Sequence, residues 1–343
     1  MKEKTIMKIL AISLFIFLFV SSIFFIIYNR RYLKGRLNIS VKNQYENVGI
    51  TKDYIYTFEN GILKCENKDS KLVWERDTGL KNGKVYYGDY YIYITESEQF
   101  KILNTEGEVI KEEKFEKPLI DFDLYGDFFI LSFSDKIKLY EKFDSMSGEI
   151  DLEKEVIFTE ISPKGKYIFV SSVKPEEASL KGIMNIFDRK GKLLYRYGIR
   201  NDIIQKSLFV NDDKFSVFTT SKVILFENNI SVASKNFTSF RDVGMLKDNM
   251  YFLIKDGIVV LDSNLEKIEQ RAITPNPYNK VYQDKNKLIF YGKKSYMILK
   301  YPFEIEEKTA TSEIKNIKSI DGHIYFVYKD YVENINWRRG KYF

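Results

Sequence analysis

From about residue 48 onward the chain consists of short runs in which β-branched and aromatic residues alternate with polar ones, the two-residue period of a pleated strand. Helical spacing is absent after Tyr32. A polar turn followed by an apolar strand recurs as KDYIYTF at Lys52, GDYYIYI at Gly88, GDFFILS at Gly126 and KGKYIFV at Lys164. It continues as DDKFSVF at Asp212, KDNMYFL at Lys247, KNKLIFY at Lys285 and DGHIYFV at Asp321. Each copy is preceded by a short apolar stretch such as FTEIS and followed by a second arm such as GILKCEN or GIVVLDSN. A further polar turn then leads into another strand, as in SKLVWERD, GEVIKEE and GKLLYRYG. Four short antiparallel strands at a period of roughly 38 residues predict an all-β chain, an eight-bladed β-propeller over residues 37–343. Uneven spacing leaves seven blades as the alternative. The last copy lacks a fourth strand after DYVENIN, so LNISVKN, Leu37 to Asn43, is expected to complete it and close the ring.

The first residues follow a different pattern. Ile9 to Tyr28 read ILAISLFIFLFVSSIFFIIY without a charge, and about 20 helical residues at ~1.5 Å rise cross the roughly 30 Å hydrocarbon core of a bilayer. The expectation is a short tail at 1–8, a transmembrane helix at 9–28, with membrane lipid as its partner, and a basic juxtamembrane linker at 29–36. Cleavage as a signal peptide near Ser21 and Ser22 is the alternative, disfavoured by the length of the apolar run. Lys2, Lys4 and Lys8 face Arg30, Arg31, Lys34 and Arg36 across this segment, so charge does not orient it. A signal-like anchor sends the following domain across, which places the propeller outside the cytoplasm. A cytosolic domain on the inner face is the other orientation.

Those seven cations, against Glu3 alone, account for the whole net charge of +6. The rest of the chain is balanced at 47 basic and 47 acidic residues, with no cationic run of the kind that displaces counterions from phosphates, so no nucleic acid is expected. One cysteine, Cys65, and one histidine, His323, exclude an intramolecular disulfide and the usual His/Cys metal sets. DFDLYGD at Asp121 resembles a calcium loop only superficially, since Tyr125 holds a ligand position and Ser132 stands where a bidentate acid belongs. Phosphate-loop, Gly-x-Ser-x-Gly and His-Glu-x-x-His motifs are missing, and no catalytic residue, cofactor or metal is assigned. Asn38, Asn229 and Asn236 head sequons that read as chance matches in an Asn-rich chain.

Two stretches carry a resemblance. GILKCEN feeding KLVWERDTG is similar to the repeat of pyrroloquinoline-quinone-type β-propellers, in which a strand ends in Trp and a Thr-Gly turn follows. ISPKGKYIFVSS at Ile161 resembles the corresponding segment of WD-type propellers. The whole chain looks like uncharacterised membrane-anchored propeller proteins of Gram-positive bacteria. Within this resemblance Trp74 is expected to pack between blades and Thr78 and Gly79 to form a tight turn. A quinone-dependent dehydrogenase fits poorly, because Trp74 and Trp337 are the only tryptophans.

The spacing between KGKYIFV and DDKFSVF is about ten residues longer than elsewhere, and much of the excess lies in SSVKPEEASLKGIMN. Loops on a rigid scaffold commonly carry function, so Lys174, Glu176, Glu177 and Lys181 form the candidate partner-contact loop. Cys65 shares a strand face with Leu63 and reads as a buried small hydrophobe, while His323 lies in a surface turn. Asp121 and Asp123 occupy alternate strand positions and read as solvated strand ends, with the ring's channel as the alternative. The expected function is a non-catalytic, membrane-anchored binding or scaffolding module at the cell envelope, meeting another envelope protein or a polymer. A ligand-sensing propeller and a glycan hydrolase with paired carboxylates are the alternatives.

Overall fold

The computed structural model describes residues 36–38 and 48–335, apart from 52, 68, 89, 143–144, 154, 177–178, 238–239, 285–286, 301–303, 321–322 and 329–330. The expected transmembrane helix at 9–28 and Glu177 lie outside these residues. Among the described residues no helix is long and apolar enough to cross a membrane.

Eight four-stranded antiparallel sheets form, numbered here as blades 1 to 8. Blades 1 to 7 span residues 49–77, 84–114, 121–151, 155–200, 204–236, 240–272 and 280–309, and blade 8 combines 316–334 with 36–38. In blades 1 to 7 the strands pair in chain order. The second and third strands are long apolar runs because both of their faces are buried. In Phe128–Ser132, all buried, Phe128 and Ile130 enter the core shared with blade 4, whereas Phe129 and Leu131 enter the core shared with blade 2. One pleat thus feeds two cores, and apolar residues are needed at every position. Fourth strands such as Lys267–Ala272 are largely exposed and alternate with charge.

Eight hydrophobic clusters sit one between each pair of consecutive blades, from blades 1 and 2 around to blades 8 and 1. Aromatic stacks reinforce several of them: Phe129 lies on Tyr140 at 4.7 Å between centroids and Phe215 on Phe226 at 5.1 Å. Such pairs contribute ~0.5–1.5 kcal/mol each beyond their burial.

Ring closure follows the expected route. Arg36–Asn38 pairs with Tyr331–Asn334 in the register Arg36↔Glu333, Leu37↔Val332 and Asn38↔Tyr331, so the strand begins at Arg36. Val48, Ile50 and Ile55 of blade 1 pack with Val327 and Val332 of blade 8 across the joint. No blade edge at the seam is left facing a gap.

The alternating strand directions give the ring two distinct faces. The upper face carries the second-to-third-strand turns and the connections between blades. The lower face carries the first-to-second and third-to-fourth turns. Arg36 stands at the lower end of its strand, because Asn38 is opposite Tyr331 at the upper end. The chain therefore enters blade 8 from below.

Candidate functional site

The tile at Trp74 explains how neighbouring blades lock. At the lower side the Trp74 indole donates its Nε1–H to the Thr105 carbonyl at 3.0 Å and lies over Gly107, where a Cβ would come within 2.7 Å of the ring. Arg76 Nε donates to the Gly107 carbonyl at 2.9 Å. At the upper side Thr78 is buried, and its backbone N–H and hydroxyl both donate to the Gly61 carbonyl, at 2.8 and 2.7 Å. Gly79 follows at φ +73°, with its N–H on Asp77 Oδ1, the left-handed turn that needs glycine. All three residues serve the ring.

Along the inner strands, side chains stitch blades 3 to 7 to one another. Asp121 Oδ2 accepts the Thr159 N–H at 2.8 Å and Asp123 Oδ2 accepts the Ile161 N–H at 2.6 Å. Both bonds join the inner strand Asp121–Tyr125 to its neighbour Glu155–Ile161, which runs in the same direction. Ser207 donates to Glu160, Lys206 Nζ donates to Asp242 at 2.7 Å, and Asp242 accepts the Val281 N–H at 2.8 Å. Gln283 Oε1 accepts the Met245 N–H at 2.9 Å. Asp121 and Asp123 are therefore part of the channel wall, correcting the reading as solvated ends. Asp121 and Asp123 are half-buried on their inner strand, and the next blade supplies the donors.

Burial dominates the titration of this cluster. It raises Asp123 to about 6 and Glu160 to about 7, and it raises Asp121 as well, in each case against hydrogen bonds that favour the anion. The spacing of 38 or so residues between partners is the sequence signal for these bonds, but single polar residues on apolar strands do not reveal it.

Above the ring, blade 4 departs from the others. The expected loop at Lys174 to Gly182 is instead a strand extension: Tyr167–Glu176 and Ser179–Asp188 are ten residues each and pair Lys174↔Lys181, Pro175↔Leu180 and Glu176↔Ser179. Alternation of Val173, Pro175 with Leu180, Gly182 lets the inserted residues continue the ladder, so they form a ribbon. The inner strand pairs as far as Val173 and the outer one as far as Lys181, which leaves both edges of the tip unpaired. Lys174, Glu176 and Leu180 are exposed, and Lys181 is half-buried over Gly198.

Two features set the hairpin's base. A Cβ at Gly182 would lie 2.8 Å from the Asp202 carbonyl oxygen, to which the Gly182 N–H donates at 2.9 Å. The buried Asp202 carboxylate in turn accepts from the Thr219 and Ser221 hydroxyls and the Thr220 N–H. Its burial opposes ionisation, yet these donors hold its pKa below the ordinary value.

Two depressions lie between consecutive blades. One of about 280 Å³ lies between blades 3 and 4 and is lined by Asp151, Ser172, Asn185 and Arg196 among others. Another of about 450 Å³ lies where the connection after blade 2 meets the Phe133–Lys136 turn. Its floor is the edge-to-face pair Phe115 and Phe133 at 4.9 Å, with Lys138 over Phe115 and Lys114, Lys117 and Lys136 at its rim. Lys117 bonds Asp135 at 2.6 Å and Lys136 bonds Glu149 at 3.2 Å, so much of that charge is already paired.

The remaining singletons are separate. Cys65 is buried in the core between blades 1 and 2, where burial pushes its thiol up to about 11. His323 is exposed at the start of its strand, with Nδ1 3.4 Å from Asn334 Nδ2. Among the described residues no group of acids, Cys65 or His323 is arranged to hold a metal ion.

Several solved structures share this architecture. BamB from Moraxella catarrhalis is 12% identical with a TM-score of 0.63, covering 87% of this chain and 100% of its own. Sqt1 from Saccharomyces cerevisiae is 8% identical with a TM-score of 0.65, covering 87% of this chain and 99% of its own. The dihydro-heme d1 dehydrogenase NirN, solved with DHE, is 9% identical with a TM-score of 0.61, covering 78% of this chain and 66% of its own. Likeness at such identities concerns the fold, which binding proteins and enzymes share. No curated protein matches the sequence. Residues 28–336 match a family described as a family of unknown function, DUF5711.

Proposed function

We propose that this chain, which belongs to the DUF5711 family of unknown function, is a non-catalytic binding module held at a membrane by residues 9–28. Its propeller stands outside the cytoplasm and docks an envelope protein or polymer through the upper face of blades 2 to 4. The observation that carries this reading is the blade 4 hairpin, the longest strand pair among the described residues, with exposed Lys174, Glu176 and Leu180 on a ribbon whose edges are open. Such edges accept an added strand or loop without distorting the scaffold.

Topology supports the same arrangement. Arg36 enters blade 8 from below, so the hairpin rises on the side opposite the anchor. A glycan hydrolase needs two carboxylates free for acid and base work. Asp121, Asp123 and Glu160 each accept bonds from the neighbouring blade, which favours a wall over a reaction centre.

Two experiments test the proposal. A photo-crosslinker at Leu180 in intact cells is expected to capture a discrete adduct that the same probe at Glu269, on the exposed outer strand of blade 6, does not. Equal labelling at both positions refutes a dedicated upper-face site. Protease treatment of intact cells, with a tag after Phe343, is expected to remove the tag without lysis; protection until lysis reverses the orientation.

A further inference from the structure

We infer that the lower rim of the propeller rests on the lipid surface through apolar side chains, an inference that depends on residues 9–28 anchoring the chain. Among the described residues fifteen large hydrophobic side chains are exposed, and thirteen of them lie toward the lower face. Ten mark the start of outer strands, just after the third turn of a blade: Leu72 and Val73, Val109 and Ile110, and Leu193 and Leu194 are pairs in blades 1, 2 and 4, and Met146 stands alone in blade 3. Ile230, at 64% exposure, continues the series in blade 5. The first turns add Tyr90, 68% exposed, on the same side. The upper face has only Ile120 and Leu180.

Val73, Ile110, Leu194, Val232 and Ile268 are each the extra residue of a β-bulge at the start of an outer strand, so the bulge leaves them outside the cores, which are filled from the other positions of each strand. Apolar side chains with interspersed tyrosine suit the boundary between headgroups and acyl chains. The chain leading to residues 9–28 leaves from this face at Arg36, and the seven residues 29–35 reach at most about 25 Å. A bilayer anchored through that linker is therefore the surface nearest the rim. The same turns carry charges of both signs, Asp69 with Lys71, Glu106 with Glu108, and Lys190 with Lys192, so neither sign dominates the rim and the contact does not require anionic lipid.

The test uses the full chain reconstituted in phosphatidylcholine vesicles, with and without phosphatidylglycerol. An environment-sensitive fluorophore is attached to single cysteines made by Val109→Cys, Leu194→Cys or Ile230→Cys below, and by Ile120→Cys or Leu180→Cys above. Cys65 is buried and stays unlabelled. The expected result is flotation of every variant, with lower-rim labels quenched several-fold more by a lipid-borne quencher than upper-face labels, in both lipid mixtures. Flotation with equal quenching overturns the rim contact while the anchor stands. Quenching confined to phosphatidylglycerol vesicles overturns the apolar basis of the contact. Shielding of lower-rim labels from a water-soluble quencher, without lipid quenching, assigns the rim to self-association instead. Failure to float overturns the anchor, and the rim contact with it.

Discussion

The upper and lower faces of this ring differ in what is irregular about them. Above, the backbone is irregular: one blade extends its second hairpin by several residues. Below, the backbone turns are short and repetitive, but the side chains are unusual, with apolar residues exposed blade after blade. A length change creates a local feature that one partner can recognise. A repeated surface composition creates a broad, non-directional one, suited to a surface that has no single contact point.

The largest test of this contrast is Asp202→Ala. It leaves Thr219, Ser221 and the Thr220 N–H without their buried acceptor beneath the hairpin, and ~3 kcal/mol or more of stability is expected to be lost in urea unfolding. A change under 1 kcal/mol would show that the hairpin base is not held this way. Trp74→Ala acts near the lower face, removing the packing on Gly107 and the bond to Thr105, and is expected to lower stability by about 2–3 kcal/mol. Unchanged urea midpoint in that variant would break the account of the inter-blade lock.

Between the faces, the inner strands provide a pH test. Asp123 and Glu160 hold protons more tightly in the folded ring than in the unfolded chain, so the folded state carries more protons between about pH 4 and 7. Their contribution is favourable at the acid end and is lost as pH rises through about 6 and about 7. Glu160→Gln is expected to flatten the fall in stability from pH 5 to 8 by about 1–2 kcal/mol, and an unaltered pH profile would show that the group does not titrate there. The smallest effects belong to the exposed residues themselves. Leu180→Ser above and Leu194→Ser below are each expected to shift stability by less than about 0.5 kcal/mol, while altering crosslinking and lipid quenching respectively. A large stability loss in either would mean that the side chain serves the fold.

The eight repeats, the four strands in each and a closing strand from the N-terminal side were legible in the residues, because alternation and turn chemistry are local properties; the strand expected from Leu37 begins at Arg36. The loop expected at Lys174 to Gly182 rested on the extra length of a polar insertion, but that length also admits a paired ribbon, and pairing is decided by cross-strand register.

The sequence alone determined the repeat, the apolar segment at 9–28 and the exclusion of an intramolecular disulfide, since each depends only on composition and spacing along the chain. Tertiary structure decided which residues meet. Asp121 finds Thr159, and Trp74 finds Gly107, across blades that are adjacent only once the ring has formed. It also decided which alternating positions face a core and which face outward, because a strand's two faces are equivalent until neighbouring blades cover them. The exposed apolar rim is visible for that reason only in the assembled ring.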